Sequence, residues 1–206
     1  MKRVLLSLVL LGFCSVSLAQ RVQHHSYTTY YNQALGGPDS VVWNLTPNML
    51  ACGQVTRHDK FAQDPALPNS TKGDAYKHSG FQRGHLFNFE ESSCNETDRI
   101  ECFYMSNMLP QYGSFNTGDW KRVEIQEQAW AKTTPLHIIA GGIGTLGTLA
   151  SGVNIPRYMW KAICMNGQWS CWIMPNAKTS KGHTLKKWKI PTLEEFNKKT
   201  GLHLHN

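Results

Sequence analysis

The chain has 206 residues, 21 Lys or Arg against 14 Asp or Glu, and six cysteines. That length suffices for one compact domain with a substantial core. The formal charge of +7 is compatible with a polyanionic partner. Beyond the first twenty residues no run is apolar enough to cross a bilayer, and no repeat, low-complexity tract or linker divides the rest, so a single soluble domain is expected.

The opening stretch MKRVLLSLVLLGFCSVSLAQ has a basic start, a short apolar middle and small residues before Ala19. This is the layout of a signal peptide over residues 1–19, leaving one domain over 20–206 and an expected secreted or periplasmic location. Cys14 stands in GFCS, which lacks the small-residue pattern that precedes a lipoprotein cysteine. Loss of Lys2 and Arg3 leaves 19 basic against 14 acidic residues, a net of +5.

In chain order, YTTYYNQALGGPDSVVWNLT reads as strand, Gly-Pro turn, strand. Residues 60–80 are rich in Pro, Gly and Asp and predict a long surface loop into SGFQRGHLFNF, with Arg83 and His85 at the end of a strand. ECFYMSNML follows as an aromatic, β-prone run for the sheet core. The strongest helix is FNTGDWKRVEIQEQAWA, where Asn116, Trp120 and Glu124 fall four apart on one stripe. PLHIIAGG predicts a buried strand. Gly142, Gly144 and Gly147 match GxGxxG, but the following TLASGVNIPRYMW has no helical period and no ribose-binding acid, so a dinucleotide site is refused. IPRYMWKAICMNGQWSCWIMPN reads as two strands around the Asn166-Gly167 turn. The closing helix has Thr192 and Glu195 as a capping box and Gly201 at its end. The sum is mixed α+β, with a mainly antiparallel sheet and few helices.

Two compositional features bear on function. Between Gln128 and Pro191 there is no Asp or Glu, while Lys132, Arg157, Lys161, Lys178, Lys181, Lys186, Lys187 and Lys189 are present. A surface of one sign there would attract phosphate backbones, and a solvated lysine-rich rim is the bland alternative. After loss of the leader five cysteines remain, and their spacing suggests Cys94–Cys102 and Cys164–Cys171 disulfides with Cys52 left over. Zinc is the competing use, but neither pair has CxxC spacing.

The chemistry-bearing residues gather in QRGH and SNMLPQYGSFNTGDWKRVE. Phosphodiester hydrolysis needs a base near neutrality, which histidine supplies, and charge stabilisation, which a metal or an arginine fork supplies. Arg83-Gly84-His85, Asn107, Pro110-Gln111, Asn116, Trp120 and Glu124 come in an order and spacing that resemble the DNA/RNA non-specific endonuclease family, built on a ββα-metal (His-Me) finger. TRHDKFAQDPAL and DAYKHSGF upstream, and HIIAGG, IPRYMWKAI and TLEEFNKKTGL downstream, extend the likeness over almost the whole mature chain. The resemblance implies a ββα-metal finger in the sheet core. It implies His85 as general base, exposed so that it reaches substrate, Asn116 as the direct ligand of Mg2+ (Mn2+ substituting), and Glu124 holding metal-bound water. Arg57 would steady the phosphate. Arg83 and Asn107 fall on the substrate side, with Arg83 alternatively packing beneath the finger and Asn107 positioning the histidine or its loop.

The implied activity is exported, non-specific cleavage of DNA and RNA leaving 5′-phosphate ends, with no membrane partner, by a monomer or homodimer. Three departures from the family pattern stand out: Gln82 where an acid is usual, Leu86-Phe87-Asn88-Phe89 after the histidine, and Gln128 where an arginine is common. Lys121 or Arg122 could supply that last charge instead. Gln82 is the ground for an alternative, a catalytically weakened, secreted nucleic-acid-binding protein. The abundant aromatics are the thinner ground for a carbohydrate- or surface-binding module.

Overall fold

The computed structural model describes residues 19–52, 56–57, 59–92 and 94–205; the leader lies almost wholly outside them. The strands are β1 Gln20–Gln23, β2 Tyr27–Asn32, β3 Gly37–Leu45, β4 Phe81–His85, β5 Met108–Tyr112, β6 Leu136–Ile143, β7 Gly147–Thr148, β8 Asn154–Ile155, β9 Tyr158–Met165, β10 Gln168–Pro175 and β11 Lys189–Ile190. The helices are α1 Phe89–Ser92, α2 Glu96–Glu101, α3 Gly113–Phe115, α4 Lys121–Ala131, α5 Leu185–Trp188 and α6 Leu193–Thr200. Seven strands form one sheet in the order β1-β2-β3-β6-β9-β10-β11. Every pairing within it is antiparallel. The expected mixed α+β architecture is present, and among the described residues no helix is long and apolar enough to cross a membrane.

Local chemistry accounts for the hinges of this sheet. Asn166 (φ 51°) and Gly167 (φ 77°) both adopt the left-handed region that a tight β9–β10 hairpin requires. Thr192 accepts from the Glu195 amide at 3.1 Å and caps α6, which ends on Gly201. No helix follows β6, as the lack of helical period predicted; of the motif glycines Gly142 lies in β6 and Gly147 in β7, and only Gly144 is in the short loop between them.

The site is carried by a second, smaller unit. β4 and β5 pair antiparallel, with Arg83 opposite Pro110 and His85 opposite Met108. The helix expected over FNTGDWKRVEIQEQAWA is not continuous: α3 leads into a wide turn over Asn116–Trp120, kinked at Gly118 (φ −107°, ψ −105°), and only then comes α4. Gly84 must be glycine, because a Cβ there would fall inside the buried Gln111 side chain. Trp120 is fully buried and donates its Nε1 to the His85 carbonyl at 3.2 Å, locking the helix to the strand end. This is the ββα finger, and it packs on the main sheet through a core that includes Trp43, Phe87, Trp120, Ile138 and Met159.

Three expectations are corrected. ECFYMSNML is buried but is not one strand: it holds the end of α2, a 3-10 turn at Met105–Asn107 and the start of β5. Its aromatic residues pack from loop backbone, a burial that β propensity cannot distinguish from a strand. The disulfide joins Cys52 to Cys94, while Cys102, Cys164 and Cys171 are free. In the β9–β10 register Cys164 sits opposite Trp169 and Cys171 opposite Ala162, so that local pair cannot close. Lys161, counted above with the basic surface, is fully buried and pairs with Glu127 at 2.7 Å.

Candidate active site

A cavity of about 260 Å³ opens where β4 ends against the wide turn and α4. Arg57, Arg83, His85, Asn116, Lys121 and Glu124 line it, together with Asn88, Phe89, Glu90 and Thr117. Five of the six residues singled out from the sequence therefore meet in one place.

His85 closes β4 with only 8% of its surface exposed, less than a substrate-reaching histidine was expected to show. Its ring packs against Phe103 (5.2 Å) and Phe61 (5.7 Å). Phe61 is brought there by the long loop, which docks through Ala62 N to Phe103 O (3.2 Å) and Met105 N to Ala62 O (2.9 Å). Burial, reinforced by the nearby Arg57 and Lys121 charges, drives the imidazole pKa down to about 3. The ring is thus neutral across the physiological range. Its Nε2 is buried without a hydrogen-bond partner among the described residues, an arrangement that costs stability unless a group from outside the chain completes it.

Asn116 opens the wide turn, and its Nδ2 donates to Gln82 Oε1 at 2.8 Å. That bond orients the amide and leaves its Oδ1 as a neutral oxygen that could hold a cation. Gln82, which stands where an acid was expected, thus keeps the acceptor and gives up only the charge. Eight residues on, Glu124 is 5% exposed, and burial pushes its pKa up to about 7 against the pull of Lys161 and Lys121. Lys121 bridges Glu124 Oε2 (3.3 Å) and Glu90 Oε1 (3.2 Å), and these carboxylates hold its pKa up against its own burial. Of the two candidates for the missing basic charge, Lys121 is the one that faces the cavity. Arg122 instead donates to the His183 carbonyl at 3.0 Å.

Arg57 lies over the rings of Phe103 (5.3 Å) and Phe89 (5.5 Å) and pairs with Asp59 at 2.6 Å. Arg83 stacks on Phe61 at 4.7 Å and donates Nε to the Gly73 carbonyl at 3.0 Å. It therefore both faces the cavity and tethers the long loop. Asn107 is the exception to the sequence reading. It is fully buried outside the cavity, accepting from Phe87 N (2.9 Å) and donating to Phe87 O (2.7 Å) and Cys102 O (2.8 Å). Of the two roles read for it, substrate binding is not supported and positioning is: two bonds fix Phe87, just after His85, and the third ties it to Cys102 at the end of α2.

Behind the cavity lies a charge network that no spacing pattern announced. Glu91 accepts from Trp43 Nε1 at 2.7 Å and from Asn88 Nδ2 at 2.8 Å, and burial beside Glu127 raises its pKa well above the ordinary carboxylate value. Lys161 balances this acidic cluster from below, under the rings of Trp120 and Trp43.

Among the described residues there is no cluster of three or more His, Cys, Asp or Glu able to hold a metal. A cation here would take few protein ligands and keep water and phosphate oxygens for the rest. A neutral amide oxygen suits a hard divalent cation.

The chain is similar to several known nucleases. A nuclease of Nostoc sp. is 30% identical over 144 residues, covering 68% of this chain and 52% of that protein. The mitochondrial nuclease EXOG of Xenopus laevis is 25% identical over 205 residues, covering 87% and 56%. Human mitochondrial endonuclease G is 25% identical over 207 residues, covering 90% and 69%. The chain thus spans about half the length of the first two. A chain in the crystal structure of an EndoG/EndoGI complex superposes with a TM-score of 0.80 at 23% identity, covering 91% of this chain and 86% of that one, and so shares the fold. Residues 12–206 match the family model described as DNA/RNA non-specific endonuclease, and the chain belongs to that family.

Proposed function

We propose that the protein is an exported, divalent-metal-dependent endonuclease that hydrolyses DNA and RNA with little sequence preference and leaves 5′-phosphate ends. The observation that carries this reading is the convergence of His85, Asn116 and Glu124 with Arg57, Arg83 and Lys121 on one cavity. In this reading His85 takes a proton from the attacking water once a phosphate in the cavity offsets the Arg57 and Lys121 charges that help hold its pKa down. The water oxygen bonds to phosphorus as the P–O3′ bond breaks, and the departing oxygen is protonated from solvent. A divalent ion held by Asn116 Oδ1 would offset charge on the phosphate and the departing oxygen. Lys121 holds Glu124 in place, and Glu124 would orient water at such an ion. Arg57 and Arg83 bind the non-bridging phosphate oxygens. Because these groups address phosphate rather than base edges, cleavage is insensitive to sequence.

The Gln82–Asn116 hydrogen bond favours the enzyme over a weakened binder, since the orientation of the ligand amide survives loss of the acid. Export rests on the leader sequence, whose residues 1–18 lie outside the described ones. Supercoiled plasmid and total RNA, each incubated with Mg2+ and with chelator, test the proposal. Nicking and linearisation of plasmid and shortening of RNA, with Mg2+ only, are expected. Intact substrates with folded protein under Mg2+ and Mn2+ would overturn it.

A further inference from the structure

The segment from Asn176 to Trp188 leaves β10 and runs across the start of the finger helix. It is fastened there at successive points. Asn176 accepts from Tyr112 N at 3.0 Å and donates to Pro110 O at 2.9 Å. Ser114 donates to the Lys178 carbonyl at 2.8 Å. Asp119 accepts from His183 N (3.1 Å), His183 Nδ1 (2.8 Å) and Trp188 Nε1 (2.9 Å). At Gly118 the backbones approach so closely that a Cβ would stand 2.8 Å from the Ser180 carbonyl and 3.1 Å from Lys181 Cα. The arm therefore lies on the very turn that carries Asn116 and Thr117 into the cavity.

Its charge is one-sided. Lys178, Lys181, Lys186 and Lys187 are exposed, and the arm belongs to the stretch from Gln128 to Pro191 that has no Asp or Glu. The acid that meets it, Asp119, is 1% exposed and committed to the three bonds above, so it adds little negative charge to the surface. Arg122, also exposed, adds a further cation beside His183.

We propose that this arm is an extended phosphate track, which carries the nucleic-acid strand away from the cavity on the Asn116 side, with Lys178 and Lys181 as its first contacts. The inference rests on the nuclease reading and adds to it where the substrate runs. Flexible ammonium groups suit the task, since they neutralise phosphates without demanding a fixed geometry. A strand long enough to leave the cavity gains these contacts, and a very short one does not.

The test compares the wild-type chain with Lys178→Gln/Lys181→Gln, in chelator so that no cleavage intervenes. Binding of fluorescent single strands of about 4 and about 20 nucleotides is followed across a salt series. Each lost contact lowers the slope of log K against log salt by about 0.7 on a single strand. The variant should bind the long strand more weakly, with a slope shallower by up to about 1.4, and bind the short strand and unfold thermally as wild type does. Wild-type affinity and slope on the long strand would overturn the proposal, as would equal loss on both lengths. Unchanged oligonucleotide binding with lost binding to heparin would assign the arm to another polyanion, and would also overturn it. Failure of the wild type to cut plasmid or RNA would instead remove the nuclease reading and leave the binding comparison intact.

Discussion

His85 and Glu124 share one cavity and are shifted in opposite directions, so the pair makes a measurable thermodynamic signature. The folded imidazole titrates near 3 instead of 6.5, and the folded carboxyl near 7 instead of 4.5. Between pH 4.5 and 6.5 the unfolded chain protonates residue 85 while the folded chain does not, so His85 makes stability rise with pH. In the same interval the folded chain keeps the Glu124 proton that the unfolded chain releases, so Glu124 makes stability fall. Each slope approaches about 1.4 kcal/mol per pH unit, and over this window they offset one another. Glu124→Gln removes the falling part, and its stability should climb by about 2–3 kcal/mol relative to wild type from pH 4.5 to 6.5. His85→Asn removes the rising part and should drop by a similar amount. Urea unfolding in chelator at several pH values reads both, and the other titrating groups are common to all three proteins. Parallel curves for the two variants would refute the burial argument for the cavity.

Other outcomes follow from the same coordinates. Lys161→Met strands Glu127 in the core and should cost about 3–5 kcal/mol by denaturant unfolding, with Lys161→Met/Glu127→Leu recovering most of it; equal losses for both would show that the pair is not the issue. Peptide mapping under non-reducing conditions should find Cys52 joined to Cys94, a separation of 42 residues, and Cys52→Ser/Cys94→Ser should lose at most about 4 kcal/mol. A Cys164–Cys171 bridge in the map would contradict the strand register. Gln82→Ala frees the Asn116 amide to rotate and should weaken Mn2+ binding by calorimetry several-fold, while Gln82→Asp restores it. Equal affinities in all three chains would show that the hydrogen bond at 2.8 Å does not orient the ligand.

What the sequence disclosed were features written in neighbouring residues. The Asn166-Gly167 hairpin, the Thr192 cap and the His85–Asn116–Glu124 spacing all depend on short stretches of chain. What it hid depends on distant approach. The Cys52–Cys94 bridge crosses a long loop, and nearest-neighbour spacing pointed to the wrong partners. Lys161 reads as one more surface lysine until β9 is laid against α4 and Glu127 meets it. Asn107 carried both a substrate and a positioning role by its place in the motif, and only its burial against backbone separates them. Phe61 gave no signal, since only the docking of its loop sets it against His85.

The wide turn between Asn116 and Trp120 has a consequence for insertions and deletions. An α-helix advances by about 100° per residue, whereas the wide turn, kinked at Gly118, absorbs a lost residue by tightening. Deleting Arg122 or Val123, inside the regular α4, would instead spin everything downstream by about that angle, carrying Glu124 off the cavity while leaving Asn116 on it. Length at the start of α4 is therefore as binding a constraint on the chemistry as the identity of either side chain.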